Sequence, residues 1–472
     1  MKVNLDIIHE ASMKILKETG MKFHHPEVLK MIEQKGVRVS GKTAFFTENQ
    51  IMEWIKKAPG DFTVYARNPK YNMRIGGDHT EYVPGYGSPA IVDIHGVKRL
   101  ALYCDYINFL KIVHQSDYFK MNGGILVQPA DLRAVNSYPV MLYSTVTHSD
   151  KCILGGPGGD RETRMVMDML GIIFGGKDNL IEKPRIMTII STLSPLQIDK
   201  DTLDTLMIYA RHGQPVIISP TPMAGTTAPV TLAGAIALAN SEALAGIAVT
   251  QIINEGTPVM YGFQTTTADM KTGSIAMGSP ERALCIAYGA RLAKFYGIPS
   301  RGGGTDNDAL CVSVQSGYES MMTMLVTCQE KVNLIIHSAG IIAGFAAMSY
   351  EQFIVDLEII GMINRFIKGV QINEETLALD VIKKVGPGGE FITSPHTLKY
   401  CRNEPWTPEI SIRGTLEDKD PAESLFFNIK KKKEKLLSAY RKPEFPADVH
   451  SELISYLNGK GFDLNMATLQ QR

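Results

Sequence analysis

The sequence predicts an α/β protein, a (β/α)8 TIM-type barrel with an N-terminal helical extension and a C-terminal helical tail. Eight short apolar, β-branched runs each end in Gly, Pro, Ser, Thr or Gln, and each is followed by a longer helical pattern. The runs are continuous rather than alternating, which suits parallel strands buried on both faces. An open doubly wound sheet is the alternative, but no G-x-G-x-x-G follows a first strand.

Residues 1–80 read as a helical entry region. Ile7, Ile8, Ala11, Met13, Ile15 and Leu16 recur near helical spacing, with Gly20 as a stop. A second helix is expected over His25–Gln34, a third over Glu48–Lys57, and a short strand over Phe62–Ala66. Residues 81–415 carry the eight units. Their strands are expected at Tyr82–Val83, Gly124–Val127, Cys152–Leu154, Ile186–Ile190, Val216–Ile218, Pro258–Tyr261, Pro299–Arg301 and Leu334–Ile336. Between the fifth and sixth lies an Ala-rich helix led by Pro229 and containing Glu242, read as a paired structural carboxylate. Residues 416–472 form a charged helical tail, with Lys430–Lys433 on a solvated face and a last helix near Val449–Leu457.

The chain has 472 residues, 44% of them hydrophobic, enough to bury a core and exclude general disorder. Lys+Arg and Asp+Glu are both 49, which speaks against a nucleic-acid binder held by a broad basic field. The six cysteines, at 104, 152, 285, 311, 328 and 401, form no C-x-x-C and are expected to be reduced thiols. The start of the chain lacks an apolar secretory core, and the apolar stretch Val230–Ile253 is interrupted by Asn240, Ser241, Glu242 and Gln251. A soluble cytoplasmic protein is the expectation.

In a barrel of this type the active site sits at the C-terminal ends of the strands. Those ends hold no H-E-x-x-H, no G-x-S-x-G and no metal-spaced cluster; Asp93-Ile94-His95 is the nearest metal-like pair. They offer instead Tyr86, Gln128, Tyr261, Phe263, Gln264, His337 and, later, His396. Three glycine-rich turns, Gly155–Asp160, Arg301–Asp306 and Gly386–Gly389, could cradle a phosphate, but none is a P-loop; tight rim turns, or close approach of a flat cofactor or docking protein, account for them as well. Gln315 and Glu319 open a helix whose polar groups would face the same mouth.

Several segments resemble the trimethylamine methyltransferase family. They are Gly225–Gly234 with Glu242–Gly246, Gly278-Ser279-Pro280-Glu281, Gln315–Glu319, His337–Gly340, Val355–Ile359, and Gly386–Gly389 with His396-Thr397. The resemblance runs over roughly 80–415 and implies a TIM-type barrel that passes a methyl group from a methylamine to the Co(I) corrinoid of a separate carrier protein. The founding members carry pyrrolysine near the eighth strand end. Here ordinary residues run through His337–Gly344, so the chain resembles the non-pyrrolysine branch, whose substrates are quaternary amines such as glycine betaine, proline betaine, carnitine and γ-butyrobetaine.

That chemistry needs no acid or base, because a quaternary ammonium leaves as a neutral tertiary amine. It needs a dry site that aims one methyl outward. The resemblance therefore makes Tyr86, Tyr261, Phe263 and Phe345 candidates for a cation cage. His337, His396, Gln264 and Arg301 become carboxylate donors, with Gln315 and Glu319 as weaker candidates. No residue is expected as metal ligand or acid–base catalyst. The corrinoid (cobalamin) is expected on a partner, since Asp93-Ile94-His95 and Asp448-Val449-His450 lack the glycine of the D-x-H-x-x-G carrier motif. A homo-oligomer is compatible with the sequence. Two rival functions stand beside this one: a barrel lyase or hydrolase acting on a phosphorylated substrate, and a quaternary-amine-binding protein without methyl transfer.

Overall fold

The computed structural model describes residues 4–132, 137–414 and 421–462. Eight parallel strands organise the chain: β1 (Glu81–Tyr82), β2 (Met121–Asn122), β3 (Cys152–Leu154), β4 (Ile186–Ile190), β5 (Val216–Ile218), β6 (Val259–Tyr261), β7 (Arg301–Gly303) and β8 (Leu334–Ile336). Strands β2 to β6 pair in sequence order in one ladder, and β7, β8 and β1 pair in a second. Single parallel bridges, Tyr82 to Phe119 and Tyr261 to Ser300, link the ladders at both ends.

The short strands alternate between two cores. Met121, Cys152, Leu154, Met187, Ile217, Met260, Leu334 and Ile336 share one cluster. Their neighbours Ile153, Ile186, Val216, Ile218, Val259, Tyr261 and Ile335 face the helices in another. An antiparallel hairpin, Asp61–Val64 with Met73–Gly76, adds Val64, Ala66, Met73 and Ile75 to the first cluster. It lies at the N-terminal ends of the strands, where Tyr65 N–H donates to the Pro184 carbonyl and Asn68 N–H to that of Asp150. One end is thus filled by apolar side chains, and the other is left to the loops.

Four strand spans match the sequence expectation, and β2 and β7 move. The expected strand at Gly124–Val127 is loop, because β2 ends at Asn122 and Gly124 lies so close to β3 that a Cβ would overlap the Leu154 carbonyl oxygen. The expected Pro299–Arg301 strand runs two residues further, through Gly302 and Gly303. The first eighty residues hold three helices, and they also contribute five short strands; Met21–Phe23 pairs with Gln197–Ile198 from the loop after β4.

Helix α1 (Leu5–Glu18) packs on α4 (Leu232–Ile253), the Ala-rich helix. Here α2 is Ser137–His148, α3 Lys200–Arg211, α5 Pro280–Tyr296, α6 Val314–Gln329 and α7 Tyr350–Ile367. Helix α4 is long and apolar enough to cross a membrane, but its window is 83% buried inside this fold. Small residues allow its close approach: a Cβ on Gly246 would press on Ile218 of β5. Glu242 accepts hydrogen bonds from Ser194 Oγ (2.8 Å), Leu196 N–H (2.7 Å) and the Thr192 hydroxyl, so it fixes the loop after β4. Burial holds its carboxyl above the ordinary range.

Close backbone approach sets a testable contrast. Gly124→Ala should destabilise the protein by about 3 kcal/mol or more through overlap with β3. Gly317→Ala, in α6 with open space around its Cβ, should be neutral or stabilising by up to ~1 kcal/mol. Denaturant unfolding of the two variants measures the difference.

Candidate active site

Three adjacent strand ends, β7, β8 and β1, are tied into one rigid rim. Thr305 N–H donates to the His337 carbonyl (2.9 Å), Ser338 N–H to that of Val83 (2.8 Å) and Gly85 N–H to that of Ala339 (2.8 Å). Asn307 Nδ2 reaches the Ile341 carbonyl (2.9 Å), and Ser88 Oγ the Phe345 carbonyl (3.0 Å). Asp356 of α7 is wholly buried and accepts from Gly340 N–H at 2.7 Å. These bonds hold His337 (φ 62°) and Phe345 (φ 72°) in the left-handed region, which costs each of these non-glycine residues roughly 1–2 kcal/mol. The rings of these two residues lie 4.5 Å apart.

Beside this rim two buried guanidinium groups lie near one buried carboxylate, which bonds to only one of them. Arg282 of α5 and Asp306 are both fully buried, and Arg282 Nε donates to Asp306 Oδ2 at 2.9 Å. Arg282 also holds the side-chain oxygen of Gln264 and the carbonyls of Phe263 and Thr265. Arg301 is only 3% exposed, yet its hydrogen bond is to Ser219 Oγ at 3.3 Å, and its Nε meets no partner within the chain. Burial, then Arg282, pushes its guanidinium down to about 9, against the pull of Asp306. His337 feels the same field. Burial first, then Arg301 and Arg282, holds it well below the usual imidazole range, so it is a neutral ring at pH 7. Its Nδ1 is also without a partner in the chain.

On the β3 side, tyrosines converge on Gly155-Gly156. Tyr86 is half-buried and donates to the Gly155 carbonyl at 3.3 Å. Tyr138 of α2 lies against Gly156, and Tyr209 of α3 is close enough that a Cβ on Gly155 would overlap its hydroxyl. Tyr138 and Tyr209 are absent from the sequence-derived set because they arrive from helices, where a tyrosine reads as core. Arg282 and Asp306 were equally silent, since nothing in the sequence pairs them.

The remaining candidates divide by place. Tyr261 and Phe263 belong to the strand–helix layer. The Tyr261 hydroxyl donates to Asn240 Oδ1 (2.7 Å), part of a buried network with Ser12 and Tyr296, and Phe263 lies against Gly289 of α5. Tyr261, at the end of β6, and Phe263, two residues beyond it, both pack in the helix-facing cluster and not in the inner one. Gln264 is bound to Arg282. Gln315 is exposed and donates to Glu319, which accepts from Asp308 N–H at 2.8 Å and packs against Gly278. His396 is in the helix Pro395–Tyr400 against Tyr400, outside the strand-end group. Asp93 closes a turn by accepting from His95 and Val97 N–H, and His450 is bonded to Tyr143. Among the described residues no three His, Cys, Asp or Glu side chains gather as metal ligands.

The glycine turns serve the fold. A Cβ on Gly303 would overlap Asp306 and Arg282, and one on Gly304 would crowd the His337 carbonyl, so side chains and backbone of this chain fill that loop. The loops after β5, β6 and β7 and the start of α6 expose Val230, Met270, Leu310 and Val314 at 67–87% of their surface, and Val230 and Met270 both lie beside Gly225.

The fold is α/β, and the ends of its seventh and eighth strands gather the buried Arg282, Arg301, Asp306 and His337. The chain belongs to the trimethylamine methyltransferase (MTTB) family, whose sequence profile matches residues 2–463. With ordinary residues at His337–Gly344, it falls in the branch without pyrrolysine. It is 41% identical to the glycine betaine methyltransferase of Desulfitobacterium hafniense over 96% of this chain and 95% of that one. It is 30% identical to the proline betaine:corrinoid methyltransferase of Eubacterium limosum, over 87% and 86%. The fold is similar to that of the monomethylamine methyltransferase of Methanosarcina barkeri, with TM-score 0.54 at 11% identity, over 91% of this chain and 92% of that one.

A neutral buried histidine makes stability depend on pH. The unfolded chain takes up a proton below about pH 6.5 that native His337 refuses, so stability falls as pH drops through that value, by up to ~1.4 kcal/mol per unit. His114 and His148, both held near 4 by burial, add to the slope. His337→Gln should unfold with a shallower pH dependence between 6.5 and 5 than the parent, measured by urea titration.

Proposed function

We propose that this chain demethylates a betaine-type quaternary amine and passes the methyl group to the Co(I) corrinoid of a partner protein. Arg301 carries the reading. A buried guanidinium with unspent N–H groups calls for an anion, and a betaine carboxylate supplies one. The ammonium end then lies toward Tyr86 and Phe345, with Tyr138 nearby, where ring faces attract a cation by roughly 0.5–2 kcal/mol each without hydrogen-bonding it. Neutral His337 donates to or accepts from the ligand without adding a charge. Gln264, kept in place by Arg282, borders the carboxylate; Gln315 and Glu319 stay peripheral.

The methyl carbon accepts the Co(I) electron pair as its bond to nitrogen breaks, and that bond's pair leaves with a neutral tertiary amine. Charge on both partners falls along this path, so a site that excludes water favours the transition state. A carboxylate against the ammonium would hold the ground state instead. Asp306 is drawn to Arg282 through Oδ2, and its Oδ1 has no partner in the chain; the ion pair with Arg282 lowers its pull on an ammonium.

The architecture we assign is a closed (β/α)8 barrel, from the two ladders and the two bridges that join them, preceded by residues 1–80 and followed by the tail 416–472. The collar of Val230, Met270, Leu310 and Val314 suits a carrier that docks at the opening, brings the corrinoid and leaves. We read the protein as soluble and cytoplasmic, since its most apolar helix is buried. Of the two turns on which the phosphorylated-substrate rival rests, Arg301–Asp306 is filled by Arg282 and Asp306, and phosphate binding at Gly155–Asp160 would separate that rival. The binding-only rival is separated by turnover.

The test mixes protein, reduced corrinoid carrier and a panel of betaines, choline and trimethylamine, and follows loss of the Co(I) spectrum. Carboxylated quaternary amines should react, and choline and trimethylamine should not. Arg301→Gln should raise the KM for the preferred betaine about 10–100-fold, the worth of a charged hydrogen-bond pair. Silence across the panel, or choline as the best substrate, contradicts the reading.

A further inference from the structure

The loop after β8 carries two rings of the site and is held from behind by α7. Phe345 lies in the turn of a hairpin that pairs Ile341–Ile342 with Ala347–Met348, and His337 stands three residues before the hairpin's base at Gly340. Gly340 is gripped on both sides: its N–H donates to Asp356 Oδ2 (2.7 Å), and its carbonyl accepts from the N–H of Ser349, the N-cap of α7 (2.9 Å). A Cβ at Gly340 would overlap Met348 and Phe353, so a glycine is needed to bring the loop this close to the helix. Asp356 reaches His337 by a second route. The Thr305 hydroxyl has both the Asp356 carboxyl and the His337 carbonyl (3.2 Å) as partners, and Thr305 N–H donates to the same carbonyl (2.9 Å). His337, Ala343 and Phe345 are all left-handed, so local backbone preference opposes the path of this loop and its shape depends on bonds from outside.

We propose that Asp356 is a positioning residue for methyl transfer, one that sets the places of His337 and Phe345 through Thr305 and Gly340. The inference rests on the functional reading above, which puts both rings against the ligand. Asp356 is wholly buried, and its partners are neutral: Gly340 N–H, Gln352 Nε2 (2.8 Å) and the hydroxyls of Thr305 and Ser320. Burial holds its carboxyl well above the ordinary range, so the group keeps its proton and acts as a fixed set of hydrogen bonds. An amide can replace a neutral carboxyl in that role. Asn at 356 keeps the acceptor for Gly340 N–H, and Gln352, whose Oε1 has no partner in the chain, can turn over to accept from the new Nδ2. An aliphatic side chain of similar size keeps the packing and loses every one of these bonds.

The test uses the full-length chain, its preferred betaine and the reduced corrinoid carrier, with betaine affinity measured separately by calorimetry without the carrier. Asp356→Leu should lower kcat/KM about 100-fold, the cost of reacting groups displaced by about 1 Å, and weaken betaine binding. Asp356→Asn should restore both close to the parent. Thr305→Val keeps the backbone bond to His337 and should fold even where Asp356→Leu does not; it should lower kcat/KM about tenfold. Ile363→Ala, a buried position two turns further along α7, should lower the urea midpoint and leave kcat and KM at parental values. Parental kinetics in a folded Asp356→Leu or in Thr305→Val would overturn the proposal. So would an Asn variant as impaired as the Leu variant, or kinetics that track the urea midpoint across the series, Ile363→Ala included. With an active parent these results strike this inference alone, whereas a parent silent with every betaine strikes the functional reading and the inference together.

Discussion

Two buried guanidinium groups and one buried carboxylate set the terms for the strand-end pocket. Desolvating a cation costs several kcal/mol unless an anion and hydrogen bonds compensate it. Asp306 compensates Arg282, the better placed of the two, and the pair grips Gln264 and the loop after β6. Arg301 is left with a hydroxyl. The fold bears that cost where three strand ends are locked together, so Arg301 cannot swing out to water. Burial first, and then the field of Arg301 and Arg282, keeps His337 neutral, so it adds no further positive charge there.

The scaffold explains why the cost is tolerable. The hairpin at Asp61–Gly76 fills one end of the strand array with Val64, Met73 and Ile75, and α4 fits close against β5 and β6. Rigidity at the open end comes from backbone bonds between neighbouring loops and from Glu242 and Asp356, each a buried carboxylate spent on loop N–H groups. Both belong to the frame. Arg301, by contrast, is left without full compensation.

Much of the fold was legible because buried parallel strands write themselves as unbroken β-branched runs. Cys152–Leu154, Ile186–Ile190, Val216–Ile218 and Leu334–Ile336 all did so. Gly124–Val127 misled because its apolar residues follow a glycine, Gly124, that the neighbouring strand β3 demands, a constraint visible only in three dimensions. For the site, position at a strand end singled out Tyr86, Arg301, His337 and Phe345, of which His337 and Phe345 lie ring to ring. It could not say which way Tyr261 and Phe263 face, since that depends on register, with a period of two. Nor could it show that His396 lies in the helix Pro395–Tyr400 against Tyr400. Tyr138, Tyr209, Arg282 and Asp306 left no local signal, since their meaning lies in which distant backbone they touch.

The most direct measurement is a crystal structure of the protein with its preferred betaine and no carrier. The carboxylate should lie within hydrogen-bond distance of Arg301, with the ammonium over the Tyr86 and Phe345 rings and one methyl directed out between the collar loops. A betaine whose ammonium rests against Asp306, or whose carboxylate points to the opening, would contradict the charge argument on which the account stands.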